Sequence, residues 1–173
     1  MDKVLFEMQN MWEVQDKESV DIFIDQLLDR IFLGQVVGIA AGRMGYSLRG
    51  FIMRLVHMGV SASFIGDTNV PSIQQNSTVI INSSSGETPT IKIFAQQAKN
   101  RGAKVFLITQ NPGSKIGKLS DVILKIPTMK SDQVMKTLPE QYSFLLLDYI
   151  ASVIISKLKM EHDFLKNNHS VFE

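Results

Sequence analysis

Apolar residues recur every three or four positions twice near the start of the chain. Val4, Leu5, Met8, Met11 and Trp12 form the first set, and Val20, Phe23, Ile24, Leu27, Leu28 and Ile31 form the second, after Ser19. That spacing predicts two amphipathic helices within residues 1–33. The texture then changes to short β-rich runs at 35–41, 61–65, 78–81, 104–109 and 121–126, each followed by a loop or a helical stretch. The alternation predicts a parallel sheet, and unbroken runs such as Val79-Ile80-Ile81 suit strands covered by helices on both faces. Residues 46–58 and 89–101 read as helices ended by Gly59 and Gly102, glycine being favoured just past the last helical turn. Pro89 occupies a first-turn position, where its missing N–H costs nothing. Asn111-Pro112-Gly113 is a turn, and Pro127 closes the last strand. Residues 139–158 are apolar over more than half a helix circumference, so that helix needs partners on two sides. The expected fold class is α/β: a three-layer sandwich, Rossmann-like, with a five-stranded parallel sheet flanked by helices. One domain spans 1–173, with N-terminal helices at 1–33 and a C-terminal helix plus tail at 139–173. The polar stretch 159–173 has no evident place in the core.

Composition narrows the function classes. The length of 173 residues fits one domain. Lys and Arg total 18 against 17 for Asp and Glu, with no block of like charge, so no nucleic-acid partner is expected. The chain has no cysteine, which excludes disulfides, thiolate nucleophiles and Cys-held metals. His57, His162 and His169 lack ligand spacing, so no metal is expected. No apolar run is long enough to span a membrane, and Met1-Asp2-Lys3-Val4 lacks the features of a signal peptide, so a cytoplasmic protein is expected.

In open parallel sheets, ligands sit beyond the C-terminal ends of the strands. Two loops there carry candidate chemistry. Ala40-Ala41-Gly42-Arg43-Met44-Gly45 resembles a degraded dinucleotide fingerprint, with Ala40 in place of the first glycine and Asp67 at a possible ribose position. That signal is weak, and the loop is rather read as a tight turn or another anion site. In the second loop, Asn82-Ser83-Ser84-Ser85-Gly86-Glu87-Thr88-Pro89, four hydroxyls fall within six residues before a helix. Hydroxyls beside the orphan N–H groups of a helix N-terminus suit a phosphate monoester. Capping by Thr88 or Ser85 is the alternative, but a cap needs only one hydroxyl.

Ser83 to Thr88, entered from Val79-Ile80-Ile81 and followed by Thr90 and a helix, resembles the signature loop of the sugar isomerase (SIS) domain family. The likeness extends through Gly42-Arg43-Met44-Gly45, Met53 to Gly59, Gly66-Asp67-Thr68, Asn111-Pro112 and Lys118-Leu119-Ser120-Asp121 to the small 6-phospho-3-hexuloisomerases. Glu140-Gln141, eight residues before Asp148, resembles the helix that carries the catalytic carboxylate in that branch. Asn168-His169-Ser170-Val171-Phe172-Glu173 resembles its His-containing terminus. The resemblance implies an enzyme of the ribulose monophosphate pathway that interconverts 3-hexulose 6-phosphate and fructose 6-phosphate without metal or cofactor, as a homotetramer. It implies that Ser83, Ser85, Gly86 and Thr88 hold the phosphate, that Gly42 and Arg43 border the sugar, and that Glu140 is the base. His169, delivered from a neighbouring subunit, would be its partner. Met44 stands where the family has Ser, and Ser84 where it has Gly.

The chemistry itself asks for little. Moving a carbonyl to the adjacent carbon through an enediol requires one base for carbon and one acid for oxygen, and a carboxylate with an imidazole suffices. Glu140 near the start of a helix fits that role or that of a simple charge–dipole residue. Arg43 fits phosphate steering or a surface ion pair. His57 reads as a structural histidine and His162 as solvated. Three other readings stand beside the hexulose isomerase: an isomerase of another phosphosugar, a non-catalytic sugar-phosphate-binding module, and a nicotinamide-binding domain. The apolar surface on the terminal helices predicts a symmetric assembly.

Overall fold

The computed structural model describes residues 1–169. All five expected strands form: β1 (Val36–Ala40), β2 (Ala62–Phe64), β3 (Thr78–Asn82), β4 (Lys104–Thr109) and β5 (Val122–Lys125). They make one parallel sheet in the order β2-β1-β3-β4-β5. The helices are α1 (Asp2–Val14), α2 (Lys17–Ile31), α3 (Arg43–His57), α4 (Pro89–Asn100), α5 (Thr137–Lys157) and α6 (His162–Asn167). A single 3-10 turn, Gly117–Leu119, precedes β5.

Two cores separate across the sheet. On one face, α1, α2, α3 and α5 bury Met11, Phe23, Leu27, Leu48, Phe51, Leu55, Leu146 and Ile150 against Ile80 and Phe106. Phe23 meets Phe106 edge-on, with ring centroids 5.4 Å apart. Each such side chain contributes about 1.5–3 kcal/mol by leaving water. On the other face, α4 packs Ile91, Ala95 and Ala98 onto Val37, Val79 and Leu107. The long helix expected at 139–158 does have partners on two sides, packing against α3 and against α1 and α2.

Several boundaries differ from the sequence pattern, each for a local reason. The α2 helix starts at Lys17 because the Asp16 carboxylate caps it by accepting from the Ser19 N–H at 3.2 Å. Three residues earlier than expected, α3 begins directly at Arg43. The start of α5 is Thr137, with Pro139 inside the first turn, where a missing N–H is tolerated. The tail contains α6, whose Phe164 ring lies beside Gly59 and whose Asn168 side chain donates to the His57 carbonyl at 3.2 Å. Residues 170–173 of the expected terminal motif lie outside the described residues.

The loop between β5 and α5 is fastened to α1. The nearly buried Glu7 carboxylate accepts from Gln133 Nε2 at 2.6 Å and Ser131 Oγ at 2.9 Å, and Lys3 pairs with Asp132. The Gln133 amide holds the Glu7 carboxyl below the usual carboxylate range. The N-terminal helix therefore steadies the segment that leads into α5. Among the described residues, no helix is long and apolar enough to cross a membrane.

Candidate active site

The chain leaves β1 to one side and returns as β3 on the other, so the strand order reverses between them. That switch point is where parallel sheets bind ligands. Ala40 pairs with Asn82 in register, so the loop after β1 and the Ser-rich loop after β3 rise side by side.

Gly42 has φ of +58° and ψ of −142°, a conformation that suits glycine, and it sets the N-terminus of α3 without a side-chain cap. Arg43 follows at once, and its Nε stands 2.8 Å from Glu140 Oε2 in the first turn of α5. The Arg43 side chain is 62% exposed, whereas that of Glu140 is only 16% exposed. This pair spans the mouths of two helices that pack side by side. Met44 does not face the cleft: it is 6% exposed and belongs to the core.

The four loop hydroxyls divide into two pairs. Ser83 is buried, and its Oγ accepts from the Gly86 N–H at 3.2 Å. Ser84 Oγ donates to Gln110 Oε1 at 2.6 Å, and Gln110 Nε2 donates to the Pro127 carbonyl at 2.8 Å. Ser84 has no positive φ, so a side chain there carries no strain. These two hydroxyls hold the loop's shape. Ser85 is exposed and accepts from the Glu87 N–H at 3.2 Å, leaving its own O–H to donate. Thr88 stands at the N-cap of α4 but makes no capping bond. The capping alternative therefore fails for Thr88, and its hydroxyl and the first N–H groups of α4 remain for a ligand. Glu87 turns aside to Lys115, whose backbone N–H and ammonium hold its carboxyl below the usual range.

A cleft of ≈ 400 Å³ lies between α3 and α5, lined by Arg43, Tyr46, Ser47, Glu140, Gln141 and Phe144. Tyr46, Ser47, Gln141 and Phe144 carried no role in the sequence reading. Their only signal was position, one turn beyond Arg43 or within a turn of Glu140 on facing helices. Gln141 Oε1 is buried without a hydrogen-bond partner, an acceptor suited to a sugar hydroxyl. A second cleft, on the α4 face, has an apolar floor of Val37, Ile39 and Val79 and offers no carboxylate or imidazole.

Other candidates lie elsewhere. Asp67 accepts from the Phe64 N–H and pairs with Arg49 at 3.1 Å, so it is engaged in holding the turn after β2. That removes the ribose ligand of the nicotinamide reading. His57 is buried, as expected of a structural histidine. His169 does not meet Glu140 within the chain. Its ring stacks on that of His57 with centroids 4.7 Å apart, at the far end of α3 from Arg43, about 20 Å along the helix axis. No cluster of three or more His, Asp or Glu side chains that could hold a metal ion occurs among the described residues.

Comparison with known proteins gives consistent likenesses. A family model described as the SIS domain matches residues 44–151. A 3-hexulose-6-phosphate isomerase of Bacillus subtilis is 31% identical over 180 residues, covering 99% of this chain and 96% of its own. A protein of the same name from Methanocaldococcus jannaschii is 30% identical over 148 residues, covering 84% and 82%. A crystal structure of a Methanococcus jannaschii protein, from which a 3-hexulose-6-phosphate isomerase function was inferred, superposes with a TM-score of 0.85. It shares 26% identity and covers 99% of this chain and 98% of that one.

Proposed function

We propose that this chain, which belongs to the SIS domain family, is an isomerase that interconverts 3-hexulose 6-phosphate and fructose 6-phosphate. The observation that carries this reading is the recessed Glu140 carboxylate, paired with Arg43 in a cleft at the same edge of the sheet as the uncapped, hydroxyl-bearing N-terminus of α4. The phosphate binds at Ser85, Gly86 and Thr88, where hydroxyls and the helix end supply donors. Ser83 shapes that loop, and Gly42 and Arg43 border the sugar.

Glu140 takes the proton from C3 of fructose 6-phosphate, and the electron pair moves into the C2–C3 bond and onto the C2 oxygen. The Arg43 guanidinium stabilises the negative charge that develops there. Protonated Glu140 returns the proton to C2, while a proton passes from the C3 hydroxyl to the C2 oxygen through solvent or an imidazole, which leaves a hydroxyl at C2 and the ketone at C3. The imidazole is His169 of a neighbouring subunit, since within one chain it stands beside His57. Neither a metal nor a cofactor enters these steps. The reaction belongs to the ribulose monophosphate pathway in the cytoplasm.

The working form is a homotetramer with active sites near its interfaces. Tyr46 and Phe144 leave apolar surface in solvent at the cleft, and Met53 of α3 and Leu145 and Tyr149 of α5 expose more elsewhere on these helices, which a second copy would cover. Sedimentation at micromolar concentration should give four copies, and a fully active monomer would refute both the assembly and the shared site.

Carbon-13 NMR of fructose 6-phosphate incubated with the protein tests the reading: a C3 ketone should appear, and an aldose in its place would point to a different phosphosugar isomerase. Ser85→Ala should raise KM about tenfold through one lost charge-assisted hydrogen bond and leave kcat within about threefold. A fall in kcat alone would remove Ser85 from the phosphate subsite.

A further inference from the structure

We infer that Asn82 is a positioning residue, setting the distance between the phosphate loop and the Glu140 carboxylate through a buried amide that joins β3, α3 and α5. The inference rests on the isomerase reading above and adds a residue that never touches substrate.

Asn82 ends β3 after the apolar run Val79-Ile80-Ile81 and is completely buried. A carboxamide in that place is costly unless both of its ends are used. Its Nδ2 donates to Ser47 Oγ at 3.0 Å and lies 3.5 Å from the Met44 carbonyl, while Ser143 Oγ donates to its Oδ1 at 3.5 Å. Ser47 Oγ in turn donates to the Met44 carbonyl at 2.9 Å. Ser47 and Ser143 are buried as well, so water does not compete for these bonds.

The placement of the partners gives the network its meaning. Ser47 lies four residues after Arg43 on α3, and Ser143 lies three residues after Glu140 on α5, so each sits one turn above a charged residue on the same helix face. Asn82 itself immediately precedes Ser83, the root of the phosphate loop. One amide thus touches the three segments that carry phosphate donors, guanidinium and carboxylate. Apart from Arg49, which lies over the Phe64 ring of β2 and pairs with Asp67, α3 and α5 otherwise meet the sheet mainly through apolar side chains, whose contacts are non-directional and tolerate sliding. The directional bonds of Asn82 fix where the two helix ends stop. An ångström of drift between base and phosphate anchor is enough to cost on the order of a hundredfold in rate.

The test is steady-state kinetics and fructose 6-phosphate affinity for Asn82→Ala and for the milder Ser47→Ala, with the primary deuterium isotope effect measured on substrate deuterated at C3. Asn82→Ala should lower kcat about a hundredfold and Ser47→Ala about tenfold, with affinity within about threefold in both. The isotope effect should rise in both because proton abstraction becomes slower than product release. The double variant should be no worse than Asn82→Ala, since both remove the same link. Should Asn82→Ala fail to fold, Ser47→Ala alone carries the test. Folded variants with wild-type kcat and isotope effect, or with affinity and kcat lost together, would overturn the positioning role while the isomerase reading stands. Absence of any turnover in the unmodified protein would instead overturn that reading.

Discussion

Glu140→Gln should lose turnover by about 10²–10⁴-fold, the range that a positioned general base supplies, while fructose 6-phosphate still binds with affinity within about threefold. The substitution keeps the side chain's shape and removes only its ability to accept a proton. The Arg43 partner is 62% exposed and is rehydrated when the carboxylate charge is gone, so stability should change by no more than about 1 kcal/mol. Turnover within tenfold of the unmodified protein would mean that another group abstracts the proton. Equal loss of binding and turnover would make Glu140 part of the scaffold that holds Arg43.

Gly86→Ala should be the most damaging single change in the phosphate loop. Gly86 has φ of +64°, and a Cβ there would stand 2.0 Å from Ser114 Oγ and 2.6 Å from Ser114 Cβ. Its carbonyl also accepts from the Ile116 N–H at 3.1 Å, so the loop after β4 leans on this residue. Left-handed backbone costs a side-chain-bearing residue about 1–2 kcal/mol, and overpacking adds about 1–3 kcal/mol. Denaturant unfolding should show a loss of roughly 2–5 kcal/mol, and affinity for fructose 6-phosphate should fall more than about tenfold. Adding Ser114→Gly should recover the steric part and leave the backbone strain. Gly42→Ala is the contrast, because open space surrounds its would-be Cβ and only strain remains. A Gly86→Ala variant as stable as the unmodified protein would mean that the loop can shift to admit a methyl group.

The elements that read clearly in the sequence are those whose signal is local. The apolar spacing from Val20 to Ile31 gives α2, the run Val105-Phe106-Leu107-Ile108 gives β4, and Pro89 marks the start of α4. Where a boundary depends on a single contact, the pattern misleads. The Asp16 cap starts α2 early, and Phe164 against Gly59 gives the polar tail a short helix. The excess of hydroxyls in the Ser-rich loop was visible, but their division was not, because Ser84 is turned inward by Gln110 and Ser83 by the Gly86 N–H. The approach of Arg43 to Glu140 depends on how α3 packs on α5, a pairing of segments far apart in the chain. The same packing buries Met44. The place of His169 beside His57 was likewise not legible, since the likeness of the terminal motif carries no information on which end of α3 it reaches within one chain.

The central claim is that Glu140 takes a proton from the carbon next to the ketone in a phosphate-anchored sugar. Proton NMR of fructose 6-phosphate incubated with the protein in D₂O reads that step directly, because the abstracted proton exchanges with solvent at the enediol. The account predicts loss of the C3 proton signal in the unmodified protein and its retention in Glu140→Gln. Loss at C1, or no exchange while the sugar phosphate still binds, would contradict it.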